Sequence, residues 1–291
     1  MNPQGINHYE NFPVASWLCP PALRAPIAAI YQFARTADDI ADEGDAPPQD
    51  RLHALERYRQ QLDLAVQGQP STEWPEVFEP LAAQIQEHAL PRYLLHCLLD
   101  AFEQDVRYTS QSHHYQSCDE LLHYCQRSAN PVGRLLLHLY GIIDDTSLQQ
   151  SDDICSALQL INFWQDLSQD LPRGRYYLPE QSLANHGLAL KDFLQLGGLT
   201  DAQTQAAEGL MLDLCAQART LMLQGAPLAL RLPGRIGWEL RLVVQGGLHI
   251  LHQIEALHGR SWLVRPHLRA LDVPSLIWRA WRMPAVIKGL S

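Results

Sequence analysis

The sequence predicts an all-helical protein that forms one domain. Apolar residues recur at three- and four-residue spacing in most long segments, and strand-like alternation is nowhere sustained. The chain has 291 residues, of which 46% are hydrophobic and 19% charged, enough apolar side chain for one large core. We therefore expect a single layered bundle over residues 1–291, with its core at about 9–260 and a basic aromatic tail at about 261–291.

The predicted helices follow one another along most of the chain. In the first, over residues 21–43, the apolar side chains from Leu23 to Ala37 share one face. Segments rich in Pro, Gly, Ser or Gln, at 44–49, 67–75 and 109–117, are typical of short connections. The same helical periodicity predicts further helices at residues 51–66, 91–105, 118–127, 133–140, 152–171, 200–223 and 234–257.

Charge and composition exclude several classes of function. The formal net charge is −10, so we expect no nucleic acid partner, and any phosphate must be bound locally. No GxGxxG or GxxxxGK[ST] loop occurs, and we therefore expect no NAD(P)H. The first residues lack the pattern of a signal peptide, and no run of about 18 apolar residues occurs, which favours a cytoplasmic protein.

The tail at about 261–291 is locally basic and contains Trp262, Trp278 and Trp281. This composition is typical of a segment that lies on a membrane surface, here the inner face of the membrane. The same segment could equally cap the bundle. Peripheral membrane contact is therefore one of two expectations for the tail.

An acidic cluster ends the first predicted helix and consists of Asp38, Asp39 and Asp42. Asp38 and Asp42 are four residues apart, so they share a helix face, where like charges repel and destabilise the helix. Either solvent screens these charges at the helix end or a bound cation compensates them. Arg35, one turn earlier, could bind phosphate or pair with the neighbouring carboxylates.

A second polar stripe, Asn162, Asp166 and Asp170, steps by four along the predicted helix 152–171. Ordinary amphipathicity explains one such stripe, but two stripes in one helical protein favour magnesium. This ion takes oxygen ligands and usually binds through one or two carboxylates plus substrate phosphates, where it assists a leaving group. Two facing stripes of this kind could hold a diphosphate through bridging magnesium ions.

The motifs YENFPVAS, IAAIYQFARTADDIAD, YCQRSANPVGRL and QLINFWQDLSQDLPRGRYYLP together resemble the squalene/phytoene synthase family over roughly residues 9–260. The resemblance implies an isoprenoid-synthase helical bundle with a central active-site cavity. In it, two facing acidic motifs hold three magnesium ions and a prenyl diphosphate. By position, the resemblance implies that both stripes are catalytic, Asp39 included, and that the ligands of Mg²⁺ are Asp38, Asp42, Asn162, Asp166 and Asp170. Tyr124 matches a family position near the cationic intermediates, and the positions that match the diphosphate-binding ones are Arg35, Arg175, Tyr31 and Tyr177.

Two departures from the family pattern indicate one subgroup. Gln165 stands where most members have Arg before the second aspartate motif, and Ser128 and Asn130 lie where small apolar residues are usual. These features resemble the bacterial hopanoid-pathway enzymes that convert presqualene diphosphate to hydroxysqualene, beside separate condensing and reducing partner enzymes. We expect Gln165, Ser128 or Asn130 to orient the water that captures the cation.

Three other functions stay open. The chain could condense two prenyl diphosphates head to head, as presqualene diphosphate and phytoene synthases do. It could perform the complete squalene synthase reaction, which would depend on reduced nicotinamide. It could also be a non-catalytic relative that acts as a binding or assembly protein, although such a protein would be expected to lose aspartates that are all present here.

Overall fold

The computed structural model describes residues 19–195 and 198–288, with backbone alone at 284–288. The motif YENFPVAS lies outside these residues. All secondary structure within them is helical, which confirms the predicted fold class. The helices are α1 (Arg24–Asp42), α2 (Pro48–Val66), α3 (Pro75–His88), α4 (Arg92–Ser110), α5 (Cys118–Ser128), α6 (Asn130–Leu139), α7 (Asp145–Gln165), α8 (Leu167–Asp170), α9 (Glu180–Asn185), α10 (Leu190–Phe193), α11 (Asp201–Gly225), α12 (Leu228–Arg231), α13 (Gly234–Ala256) and α14 (Val273–Lys288).

Side-chain caps fix the starts of three long helices. The Ser117 hydroxyl accepts from the backbone of the first turn of α5, and the Asp144 carboxylate accepts from the Ser147 amide, 2.9 Å away, at α7. Thr200 and Gln203 cap each other's backbone groups at α11. These contacts satisfy N–H groups that have no partner within the helix, so each helix begins at a defined residue.

α3 was not among the predicted helices. It has Pro75 in its first turn and Pro80 in its interior, a composition that favours loops because proline lacks the N–H and clashes with the preceding turn. Val77, Phe78 and Leu81 are nevertheless buried against α1 and α2. Burial of this apolar face outweighs the lost hydrogen bond.

The predicted helix 152–171 is divided in two. α7 ends at Gln165 and α8 begins at Leu167, because Asp166 adopts φ −99° and ψ 8° between them. Backbone hydrogen bonds still run from Asp166 to Asn162 and from Asp170 to Asp166, each 2.9 Å long. The second polar stripe therefore keeps its four-residue spacing across a bend.

α1, α2 and α3 share a buried aromatic cluster. Phe33, Tyr58 and Phe78 have no exposed surface, and the ring centroids of Tyr58 and Phe78 are 4.6 Å apart. The Tyr58 hydroxyl donates to the Phe33 carbonyl oxygen at 3.0 Å, so its polar atom is satisfied inside the core. This cluster fixes α1 and, with it, the first acidic cluster.

The structure has two hydrophobic cores. The first surrounds the aromatic cluster of α1 to α3, and the second surrounds α7, which contacts α5, α6, α11 and α13. Glycines permit two of these close approaches. A β-carbon on Gly225 of α11 would lie 2.5 Å from the Gln150 carbonyl oxygen, and one on Gly133 of α6 would overlap Ser151 and Cys155. α4 contacts both α1 and α5, and so it joins the two cores.

Residues after α13 return to the centre of the molecule before α14 begins. Trp262 packs edge to face on Phe193, with centroids 5.7 Å apart, and the Gln165 amide donates to the Pro266 carbonyl oxygen at 2.7 Å. The start of the tail therefore covers the bundle. None of the helices in the described ranges is long and apolar enough to cross a membrane.

Candidate active site

The first acidic cluster lies at the carboxyl end of α1, where Arg35 binds it. The guanidinium is 2.9 Å from the Asp38 carboxylate, 2.7 Å from that of Asp39 and 3.0 Å from that of Glu43. Burial raises the pKa of Asp38, an effect that Arg35 opposes and Asp39 reinforces. The predicted repulsion is thus partly compensated within the protein. Tyr31 lies one turn before Arg35 and is partly buried.

The second polar stripe lies where α7 meets α8. Its residues run from an exposed Asn162, through a partly buried Asp166, to Asp170, which is 8% exposed. Burial, followed by the negative charge of Asp166, raises the pKa of Asp170 to about 7. The charged form of Asp170, at the buried end of this stripe, therefore lowers the free energy of unfolding.

Arg175 connects the two acidic motifs. Its backbone amide donates to the Asp170 carbonyl oxygen at 3.0 Å, while its guanidinium is paired with the Asp42 carboxylate. Gly174 permits the turn between them because its φ of +75° is accessible to glycine at little cost. The sequence motif RGR thus brings a residue of α1 and the end of α8 to one place.

Aromatic side chains form the wall behind this junction. The rings of Phe163 and Tyr177 are stacked with centroids 3.8 Å apart, and Tyr177 also faces Tyr115 at 5.9 Å. Tyr124 lies 6.1 Å from both Phe163 and Tyr115. A pocket opens beside them and is lined by Asp105, Tyr108, Thr109, His113, Tyr115, Gly174, Arg175, Tyr176 and Tyr177.

Asp105 is a site residue that the sequence reasoning missed. It lies near the end of α4, and its carboxylate accepts a hydrogen bond from the Tyr124 hydroxyl at 2.7 Å. Burial, opposed by the hydrogen bond from Tyr124 and reinforced by the negative charge of Asp38, raises the pKa of Asp105 to about 7. The sequence contained one signal, since Asp105 follows the buried Leu98 and Ala101 at helical spacing and so carries an acid on a core-facing stripe.

Arg265 is the second residue that was missed. Its Nε lies 2.5 Å from Oδ1 of Asp166 and its Nη2 lies 3.2 Å from Oδ2, a forked pairing with the second acidic motif. No motif surrounds Arg265 in the sequence. Only the return of the tail to the end of α7 brings it there.

The three residues expected to orient water all make hydrogen bonds within the protein. Gln165 is completely buried and donates to Pro266, and the Asn130 side-chain oxygen accepts from the Ser156 hydroxyl at 2.9 Å. The Ser128 hydroxyl donates to the backbone carbonyl oxygen of Tyr124, one helical turn earlier, at 3.2 Å. Their role toward water stays a prediction.

The sequence profile of the squalene/phytoene synthase family matches residues 7–272. The chain belongs to the squalene/phytoene synthase family. Members of this family process isoprenoid diphosphates, and this chain is an enzyme of that kind.

Similar squalene/phytoene synthases include proteins that are named for different reactions. A hydroxysqualene synthase of Rhodopseudomonas palustris is 34% identical over 265 residues, which are 90% of this chain and 85% of the relative. A presqualene diphosphate synthase of Sinorhizobium fredii is 32% identical over 173 residues, which are 60% of this chain and 59% of the relative. The crystal structure of squalene synthase HpnC from Alicyclobacillus acidocaldarius superposes with a TM-score of 0.76 at 34% identity, covering 86% of this chain and 90% of that one.

Squalene/phytoene synthases use a divalent metal with diphosphate substrates, and the donor set here fits such an ion. The raised pKa values of Asp38 and Asp170 indicate negative charge that the protein leaves incompletely neutralised. Within the described ranges, no group of three His, Cys, Asp or Glu side chains could hold a metal alone. Magnesium does not require such a group, because substrate phosphates and water complete its shell.

Proposed function

We propose that this enzyme converts presqualene diphosphate to hydroxysqualene. The observation that carries the proposal is the contact of Arg175 with both acidic motifs, directly beside an aromatic wall. The acidic motifs together with Arg175 suit the diphosphate group of such a substrate, and the aromatic wall suits its hydrocarbon cation. The hydroxysqualene synthase among the similar proteins supports the choice of substrate.

The diphosphate end of the substrate would bind at the junction of the two motifs. Arg35 and Arg175 offer forked donors that match phosphate oxygens, and each already contacts a carboxylate of the first cluster. Tyr31 and Tyr177 complete this set. Three magnesium ions, bound with the substrate, would neutralise the charge that develops on the leaving diphosphate. Their proposed ligands are Asp38, Asp42, Asn162, Asp166 and Asp170.

Ionisation breaks the carbon–oxygen bond, and both electrons leave with the diphosphate. The resulting cyclopropylcarbinyl cation would rearrange against the ring faces of Tyr124 and Phe163. Such contacts contribute about 0.5 to 2 kcal/mol each where water is excluded, and Tyr124 and Phe163 are each only 4% exposed. The hydrogen bond to Asp105 holds the Tyr124 ring in this position.

Water would end the reaction by forming a bond from its oxygen to the rearranged cation and releasing a proton. Ser128, Asn130 and Gln165 are the proposed orienting residues. Each already has a protein hydrogen-bond partner, so each would bind this water through its remaining polar groups or by exchanging that partner. No nicotinamide takes part, because water supplies the final group without a change in oxidation state.

The chemistry implies partner enzymes on either side of this step. A condensing enzyme must supply presqualene diphosphate, and a reductase must remove the hydroxyl group if squalene is the end product. We place the enzyme in the cytoplasm with these partners.

The deciding experiment is product analysis with purified enzyme and magnesium. Presqualene diphosphate and farnesyl diphosphate are supplied in parallel, without nicotinamide, and products are extracted for mass analysis. Hydroxysqualene from presqualene diphosphate alone is the expected result. Presqualene diphosphate formed from farnesyl diphosphate would reassign the chain to the condensing step, and no turnover of either would favour a non-catalytic role.

A further inference from the structure

The outer face of α14 and the loop before it expose large apolar side chains. Leu271 is 89% exposed, Trp281 65% and Trp278 55%, values unusual for such side chains in a folded protein. The opposite face of α14 is buried on α13 and the second core. We define the tail face as Leu263, Val264, Leu271, Val273, Ile277, Trp278 and Trp281.

The orientation of this face follows from helix geometry. Leu276, Ala280 and Met283 are buried at a spacing of three to four residues and seat the helix on the bundle. Val273, Ile277 and Trp281 step by four along the side next to the buried residues, and they are 48%, 50% and 65% exposed, so they form one outward stripe. The tail face is thus exposed while the buried side of α14 holds the helix on the bundle.

Cations accompany the tail face. Residues 260–288 contain six basic residues and one acidic residue, in a chain whose net charge is −10. Two of the six, Arg260 and Arg265, pair with Glu208 and Asp166. Arg269, Arg279 and Arg282 are exposed, and the Arg282 guanidinium lies over the Trp278 ring, 4.9 Å from its centroid. Positive charge is therefore concentrated on this one segment of an acidic protein.

We propose that the tail face binds the surface of a lipid bilayer that contains anionic lipids. A strip that combines tryptophan, aliphatic side chains and arginine matches the interface, where indole rings lie at headgroup level and arginines contact lipid phosphates. A second copy of the chain fits less well. A two-fold contact through this face would bring the arginines of both copies together.

This contact would also connect the membrane with the active site. The loop that leads into α14 places Arg265 on Asp166 and Pro266 on Gln165. A lipid surface held at the tail face would therefore lie a short stretch of chain from the second acidic motif. That placement suits a substrate that partitions into lipid.

The proposal can be tested by sedimentation with lipid vesicles in the absence of substrate. The full chain is mixed with vesicles of phosphatidylcholine alone or of phosphatidylcholine with phosphatidylglycerol. We expect binding to the anionic vesicles that weakens as salt increases. Because no turnover is measured, an error in the proposed reaction would leave this result unchanged.

Two double variants and one control locate the contact. Trp278→Ser/Trp281→Ser should lower the partition coefficient about tenfold through lost apolar burial. Arg279→Ser/Arg282→Ser should lower it about 25-fold, at roughly fivefold for each arginine near an anionic surface. The control, Ile143→Ser/Leu223→Ser, removes exposed apolar residues outside the tail face and should change binding less than twofold. Thermal unfolding of each variant checks that the fold is kept.

Several results would overturn the proposal. They are failure of the unchanged chain to bind anionic vesicles, equal loss in the control, or full binding by the tryptophan variant. A concentration-dependent dimer that the tryptophan variant abolishes, without vesicle binding, would assign the tail face to self-association instead.

Discussion

Arg265 binds both carboxylate oxygens of Asp166, although the two residues are 99 positions apart in the sequence. Next to this pair, Gln165 donates to the carbonyl oxygen of Pro266. Two consecutive residues of the second acidic motif are thus held by two consecutive residues of the tail. Through these contacts the tail forms part of the candidate active site.

Replacing Arg265 should therefore impair catalysis more than folding. Arg265→Met leaves Asp166 without its forked partner, and a charge-assisted pair of this type contributes about 1.5 to 3 kcal/mol. We expect kcat/KM to fall about 10- to 100-fold in a steady-state assay of diphosphate release. Arg265→Lys should recover only part of the activity because an ammonium group cannot form the fork.

Arg269→Met is the matched control for Arg265→Met, since it removes an exposed arginine of the same segment. It should leave kcat/KM in detergent within about twofold, as surface charges contribute little. Equal activity in the Arg265 and Arg269 variants would contradict a role for the fork at Asp166.

Asp170→Asn should make the protein more stable and less active. Asp170 is buried near Asp166, and its pKa of about 7 means that the folded protein bears the charged form at a cost above that pH. At pH 8 the amide should raise the free energy of unfolding by about 1 to 2 kcal/mol in urea titrations. Diphosphate release should fall at least about 100-fold if magnesium loses this ligand. A variant that is less stable yet fully active would contradict both parts.

The acidic motifs could be predicted from the sequence because the residues within each motif lie close together along the chain. DDxxD, NxxxDxxxD and RGR each lie within a few turns, so helical spacing was sufficient to place Asp38 beside Asp42 and Asp166 beside Asp170. Arg265 could not be found in this way, since its contact depends on how the tail packs. The interruption of the helix at Asp166 likewise follows from tertiary contacts. No proline or glycine at that position predicts it from the sequence.

The Asp105–Tyr124 pair predicts a pH dependence of stability. The pKa of Asp105 rises from 3.8 to about 7 on folding, so between those values the folded state binds more protons than the unfolded state. This carboxylate therefore stabilises the fold relatively more at low pH, and its contribution falls as pH rises toward 7. Asp170 acts in the same direction over the same range.

Asp105→Asn should remove its share of this dependence. Urea unfolding at pH 5 and pH 8 should show a smaller loss of stability with rising pH in the variant than in the unchanged protein. Tyr124→Phe, which removes the hydrogen bond, should lower stability at pH 8 by about 1 to 3 kcal/mol, because it leaves a charged acceptor without its donor. An identical pH slope in Asp105→Asn would show that this carboxylate does not titrate in the range.

Two glycines of α11 should respond in opposite directions to alanine. In Gly225→Ala the new methyl group would lie 2.5 Å from the Gln150 carbonyl oxygen, which is backbone of α7 and cannot move aside cheaply. We expect a loss of about 1 to 3 kcal/mol, the usual cost of overpacking. Gly209 meets only the edge of the His186 ring at 3.5 Å, an ordinary contact, so Gly209→Ala should gain about 0.5 to 1 kcal/mol from helix propensity. Urea unfolding of both variants measures the difference, and unchanged or higher stability of Gly225→Ala would show that α11 and α7 are not in the close contact that holds the second acidic motif in place.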